Sequence, residues 1–347
     1  SSTRHECRRA ARREARTSGI GRGALSSFLG IGSRRGAYVA LAVLTSVWGA
    51  NWVMMKLALE GAAPVVFNVQ RTWVAIAVLF AAMAAMRAPL SPQATWTAIV
   101  VTGFFQTTVN LGATTVALAG GGAGRTSVLV FTMPFWTLVI ARIVLGERVR
   151  GLQWLAVACA FAGLVLVVAP WDWRGDLAPK LWATLSGLGW AAGTVATKHF
   201  QREHPTDPHN FIAWQMLVGV LPLTLLPFAF DLAPTRWSVA QVALLFYSGA
   251  ISTAFGFLLW IAVLKHLPAG TASLNIFAVP PIALLSSMAV FGERLTGNEW
   301  AGIALIGAGL AILAAIASGR TTRDVGGTLG TAEFTASIRE ALARAIG

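Results

Sequence analysis

A chain of 347 residues that is 56% hydrophobic and only 12% charged carries about half the charge of a soluble domain, where about 25% is usual. Its mean hydropathy is +0.66, and its apolar residues come in long blocks rather than periodic stripes, which excludes a water-soluble globular fold. Blocks of about 20 apolar residues match a hydrocarbon core about 30 Å thick, so the chain is read as an all-α integral membrane protein.

In chain order, residues 1–36 form a basic leader with nine of the 27 Lys and Arg residues, among them Arg8-Arg9, Arg12-Arg13 and Arg34-Arg35. Apolar blocks follow near 37–58, 64–86, 94–118, 123–145 and 151–169. A linker at 170–178 leads to five more, near 179–199, 209–230, 238–264, 269–291 and 298–317. The tail, 318–347, carries Arg320, Arg323, Arg339 and Arg344. Basic tails beside membrane spans follow the positive-inside rule and place both termini in the cytoplasm. The net charge of +13 is therefore assigned to anionic lipid headgroups and not to nucleic acid, for which no aromatic or folded binding surface accompanies it. Phe334, Ile338, Leu342 and Ile346 recur every fourth residue, the pattern of a short amphipathic helix or a frayed tail. Cys7 lies in the leader and Cys159 inside an apolar block, which suggests neither a disulfide nor a zinc site.

The chain repeats itself. Pro134 recurs as Pro280 after 146 positions, and the same offset carries Ala123-Gly124 to Ala269-Gly270, Ser127 to Ser273 and Phe131 to Phe277. It also carries Gly146-Glu147-Arg148 to Gly292-Glu293-Arg294 and Trp154 to Trp300. Earlier the match loosens, with Trp48 and Lys56 pairing with Trp190 and Lys198 at 142 positions. The expected architecture is ten transmembrane helices in two five-helix repeats, residues 37–169 and 179–317. Five spans per half is odd, so the second copy enters the bilayer from the opposite side, giving inverted-topology repeats around a midplane site.

Polar side chains within spans are expensive and are candidates for function. Asn51 lies near one face of span 1 with Trp48; Gln106 and Asn110 are one turn apart in span 3; Ser248 and Ser252 stripe span 8; Asn275 follows Ser273 in span 9. Each amide either lines a polar cavity or bonds a neighbouring helix, and hydroxyls more often serve helix packing. Arg71, seven residues into span 2, is the sharpest candidate. Its guanidinium either binds a substrate carboxylate bidentately or serves a structural bond near the interface. Lys56 and Glu60, one turn apart, are expected to form a surface pair. Trp190 and Trp48 lie deep enough to meet a substrate, whereas Trp237 and Trp300 read as interfacial anchors. Pro134, Pro280 and Pro281 fall mid-span, where each is expected to kink its helix as a hinge.

The run Ser46-Val47-Trp48-Gly49-Ala50-Asn51-Trp52 resembles the first-span signature of EamA-type drug/metabolite transporters. Phe67 to Arg71, and the Gly-Glu-Arg turns at 146–148 and 292–294, are similar to that family's further motifs. The resemblance covers residues 37–317. It implies ten spans, cytoplasmic ends, a central cavity lined mainly by spans 1, 3, 4, 6, 8 and 9, and export of amino acids or other small metabolites. In the second half Gly193 replaces the Asn near Trp190, and Gln215 stands where Arg71 stands in the first. The two half-sites are thus chemically unequal.

An enzyme is disfavoured, because no His, Asp or Glu sits deep in a span and no His/Cys cluster suggests a metal or cofactor. The same lack of a deep titratable relay predicts facilitated or exchange transport of a small-molecule substrate. Multidrug efflux is the alternative within carriers, and a channel or scaffold the alternative outside them. A drug-cation exporter should offer a deep carboxylate, whereas the deep Arg71 favours anionic or zwitterionic ligands.

Overall fold

The structure, a computed structural model, describes residues 33–146, 152–168, 176–266, 278–317 and residue 336. Asn275, the Glu147-Arg148 turn, Cys7 and the amphipathic pattern of the tail lie outside the described residues. Within the described residues every regular element is helical. Helix α1 (Arg34–Ala58) and α2 (Pro64–Ala85) precede a long run in which α3 (Trp96–Gly103) passes through π1 (Phe104–Val109) into α4 (Asn110–Gly120). Then come α5 (Ala123–Val130), α6 (Met133–Val144) and α7 (Leu152–Val168). The second half holds α8 (Leu177–Glu203), α9 (Pro208–Ala229), and a run of α10 (Val239–Phe246), π2 (Tyr247–Phe255) and α11 (Gly256–His266). It ends with α12 (Val279–Phe291) and α13 (Gly297–Ala317). Every apolar block of the sequence holds a described helix. Five stretches, Arg35–Ala58, Pro64–Ala85, Ala123–Val144, Pro208–Ala229 and Val239–Val263, are long and apolar enough to cross a membrane.

Local chemistry explains the ends. Ser33, Thr95, Asp176, Asp207 and Ser238 each accept a backbone N–H at the start of a helix, serving donors that have no partner within the helix. Gly146 and Gly292 close the two repeated turns with φ of 64° and 63°, a left-handed conformation that glycine adopts without steric cost. The repeated glycine is therefore a backbone requirement, met at the same place in both halves.

Pro134 does not kink a continuous helix; it stands in the first turn of α6, where a missing N–H costs nothing, and Pro280-Pro281 stand in the first turn of α12. In the first half the helix breaks at Phe131-Thr132, and the hydroxyl of Thr132 bonds back to the Leu129 carbonyl at 2.6 Å.

Packing follows the repeat. α1 packs on α12 and α11, and correspondingly α8 packs on α6 and α4; α2 packs on π2, and α9 on π1. Moving each element on by one repeat converts the first member of each pair into the second. α7 lies along α13, and α2 along α9. Two apolar cores result, one around Trp52, Phe67, Phe131, Phe135 and Ile306, the other around Leu41, Leu79, Met83, Met216 and Val263, with Trp48 packed against both. Large apolar side chains such as Phe228, Val239 and Leu225 remain exposed, as a lipid-facing surface requires.

Gly292→Ala should lower the unfolding midpoint of the purified protein in detergent, by a strain of about 1–2 kcal/mol. Gly297→Ala, where a Cβ meets nothing, should leave the midpoint unchanged.

Candidate functional site

The two π-helical segments were not legible in the sequence. Shifted by the repeat offset, Phe104–Val109 falls on residues 250–255, inside π2. Such segments widen a helix and recur at functional sites. Each is seated against the other half by a glycine. A Cβ on Gly249 would stand 2.6 Å from the Arg71 carbonyl oxygen, and one on Gly103 would collide with the carbonyl of Gln215. These are equivalent contacts, because Gly103 and Gly249 are 146 residues apart and Arg71 and Gln215 are 144 apart.

Around π2 the first half-site takes shape. The Trp48 indole N–H donates to the Ser252 carbonyl at 2.9 Å, and the Tyr247 hydroxyl donates to the Val47 carbonyl at 3.1 Å. Trp48 lies edge-on to Phe257, with ring centroids 6.4 Å apart. Trp190, the counterpart of Trp48, lies nearly parallel to the same Phe257 at 6.4 Å. The signature tryptophans of both halves thus meet on one ring, which the sequence reading did not single out. Trp260 joins them, 6.4 Å from Trp48.

The polar candidates separate into two groups. Asn110 is tied up: its amide donates to the Ser186 carbonyl at 3.0 Å and hydroxyl at 2.9 Å, and Thr114 lies 2.6 Å from that same hydroxyl. That is an interhelical bond between α4 and α8. Asn51 is 7% exposed and its side-chain carbonyl has no partner. Arg71 is 4% exposed, and its Nε donates to Asn68 Oδ1 at 3.0 Å, while the Asn68 amide nitrogen is itself unpartnered. Gln215, 2% exposed, has an unpartnered carbonyl oxygen. Buried polar atoms normally find a partner, so unpartnered ones on the elements around the π segments mark a place where a ligand or water belongs.

Gln106 reveals how the second half-site differs. Its amide donates to Thr194 at 3.3 Å, and its aliphatic stem fills the space that a Cβ on Gly193 would need. In the first half the equivalent positions are Ser252 and Asn51. One half carries its amide on α1, at the repeat position of Gly193; the other carries it on π1, against that glycine of α8. Lys56 departs from its expected surface pair with Glu60. Its ammonium caps α4, donating to the carbonyls of Leu118 at 2.6 Å, Ala119 at 3.0 Å and Gly121 at 2.8 Å. Among the described residues no group of His, Cys, Asp and Glu has the makings of a metal site. The half-open apolar pocket beside the Phe131-Thr132 break, lined by Phe135, Trp136 and Leu164, measures about 60 Å³, too small for a metabolite.

The model of the EamA-like transporter family matches this sequence twice, over residues 36–169 and 178–315. The chain belongs to that family. Its two matched segments are the two halves that the repeat delineates. The uncharacterized transporter YoaV of Bacillus subtilis (strain 168) is 28% identical over 272 residues, 77% of this chain and 92% of its own. A protein of Salmonella typhimurium named as a probable amino-acid metabolite efflux pump is 26% identical over 293 residues, 81% of this chain and 95% of its own. A crystal structure of a protein 20% identical in sequence superimposes with a TM-score of 0.57, over 82% of this chain and 100% of that one, and shows a shared fold. An EamA-like chain is an integral membrane transporter.

If Gly193 exists to seat Gln106, Gly193→Ala should destabilise the protein by about 1–3 kcal/mol, the usual cost of overpacking. Adding Gln106→Ala should recover most of the lost unfolding midpoint, and a double-mutant cycle in detergent measures that recovery.

Proposed function

We propose that the protein is a ten-span carrier of two oppositely oriented halves that exports small anionic or zwitterionic metabolites, amino acids and their relatives foremost, by alternating access. It would sit in a bacterial inner membrane with both termini cytoplasmic. Arg71 carries the reading. It lies within a membrane-crossing stretch, shielded by protein, and among the described residues its one hydrogen-bond acceptor is Asn68. A guanidinium in such a place needs an anion, and a carboxylate matches its fork bidentately. Its carbonyl rests on Gly249 in π2, the element that also receives Trp48 through Ser252. A substrate carboxylate at Arg71 would therefore leave the rest of the molecule near Asn51 and the aromatic rings of Trp48, Phe257 and Trp190. In the second half the place of Arg71 is taken by the neutral Gln215, which suits a ligand charged at one end only. Outward transport and an amino-acid-like substrate agree with the name of the Salmonella relative. Transport driven by the substrate's own gradient fits the absence of a deep titratable group from the apolar blocks.

A thermal-shift panel of amino acids, organic acids, nucleosides, sugars and organic cations on the purified protein tests this assignment. Carboxylate-bearing compounds should stabilise it, and Arg71→Gln should weaken the best of them by about 10- to 150-fold, the worth of a hydrogen bond to a charged group at about 1.5–3 kcal/mol. Stabilisation by cations alone, or equal binding to a folded Arg71→Gln protein, would point to multidrug efflux or to a structural arginine.

A further inference from the structure

At the end of the bundle where α4 turns into α5 and α12 into α13, a charged cluster joins the two family repeats. Glu293, from the repeated Gly-Glu-Arg turn, reaches from one half to the start of α5 in the other. The Gly124 N–H donates to Oε2 at 3.1 Å and the Arg125 N–H to Oε1 at 3.2 Å, while the Ser287 hydroxyl donates to Oε2. The Arg125 guanidinium then pairs with both carboxylates, its Nε 3.7 Å from Glu293 Oε1 and 2.7 Å from Glu299 Oε1, and its Nη2 donates to Glu299 Oε2 at 3.2 Å. Nη2 also donates to the Arg294 carbonyl. Glu299 is held in turn by the N–H and hydroxyl of Thr296, at 2.8 and 3.0 Å. The carboxylate side chains are only 6% and 9% exposed. Beneath them α5 and α12 are in close contact, with Leu284 Cδ1 2.6 Å from where a Cβ on Gly124 would lie.

Opening this arrangement part-way would be unfavourable, because its bonds depend on one another. α5 has no side-chain cap of its own at Gly122; its free N–H groups are served by the other half, a carboxylate on a helix N-terminus being the favourable sign. Separating the halves here would strip α5 of its cap and Arg125 of both anions. Glu293 would be left at the C-terminal end of its own helix α12, where the helix dipole disfavours a negative charge. Partial opening would break these bonds before water reaches the two buried carboxylates, whereas full opening would let water replace every bond. The break at Phe131-Thr132 leaves α5 a separate rigid piece that is able to move without bending α6. Interfaces with two discrete packings are what a switching transition requires.

We propose that Arg125, Glu293 and Glu299 form the latch that holds this end of the carrier closed while the central site opens at the other. The proposal rests on the alternating-access reading, so its test needs no substrate. Ser127 is fully buried on α5 and Thr102 is fully buried on α3, at the opposite end of the run that finishes at Gly120. In a Cys7→Ser, Cys159→Ala background, Ser127→Cys or Thr102→Cys is labelled with a maleimide in detergent. Glu293→Gln and Arg125→Gln should each speed labelling at position 127 by about tenfold or more, as loss of charge-assisted hydrogen bonds implies, with position 102 unchanged. Should Glu293→Gln fail to fold, Glu299→Gln weakens the ion pair while leaving the cap on α5, and the same selective rise is expected. Unchanged labelling at 127 in folded variants would overturn the latch, as would an equal rise at both positions, which reports loosening of the whole fold. Saturable transport retained by the unmodified protein alongside either negative result would remove the latch and leave the carrier assignment standing.

Discussion

A backbone that crosses hydrocarbon must satisfy every N–H and C=O within the protein, because lipid offers no hydrogen-bond partner. A regular helix meets that condition alone, but a helix that is widened, broken or studded with polar side chains does not. In this chain the irregular places are covered by the other half. π1 lies on α9 and α8, π2 lies on α2 and α1, and the end of the broken α5–α6 pair leans on α8, where Gly187 leaves room for the Val130 carbonyl. The same glycine-on-carbonyl contact is used twice, at Gly103 and Gly249. Duplication thereby supplies both the irregular elements of a binding site and the surface that makes them tolerable in a membrane.

The halves share a frame and differ in chemistry. Asn51 and Ser252 occupy the repeat positions in the first half-site that Gly193 and Gln106 hold in the second. Bulk removed from one helix has been restored from the facing one, so the amide survives in a new place. The charge has not been restored: Arg71 is matched by Gln215, and Gln215 keeps an unpartnered oxygen in its burial. In the proposed site, a cationic and a neutral half would favour a ligand that is charged at one end and polar at the other.

Much of the architecture was legible because it depends on bulk properties. Apolar blocks of span length, a Pro–Gly–Glu–Arg–Trp register at one offset, and helix-capping residues at block edges are all local or periodic signals. The parts that escaped are long-range. Nothing in Phe104-Phe105-Gln106-Thr107-Thr108-Val109 distinguishes a π segment from an ordinary apolar helix; the seating of its neighbour Gly103 on α9 does. Lys56 has Glu60 one turn away in sequence, yet three carbonyls at the end of α4 outcompete it. Glu293 was expected at a span end and is there, but its bonds to α5 depend on a helix 168–169 residues distant. Pro134 was placed in the right block, whereas the break before it, where the Thr132 hydroxyl bonds back to the Leu129 carbonyl, puts it in a first turn.

Two exchangeable halves around one site amount to a claim about how solute crosses the membrane, and counterflow measures that directly. The protein is reconstituted in liposomes with the amino acid or organic acid that stabilises it most, and entry of the radiolabelled compound is followed with and without unlabelled compound inside. Saturable entry that is accelerated by internal substrate is the predicted result, because a loaded site returns faster than an empty one. Entry that rises linearly with concentration and ignores the internal compound would describe a channel and contradict alternating access.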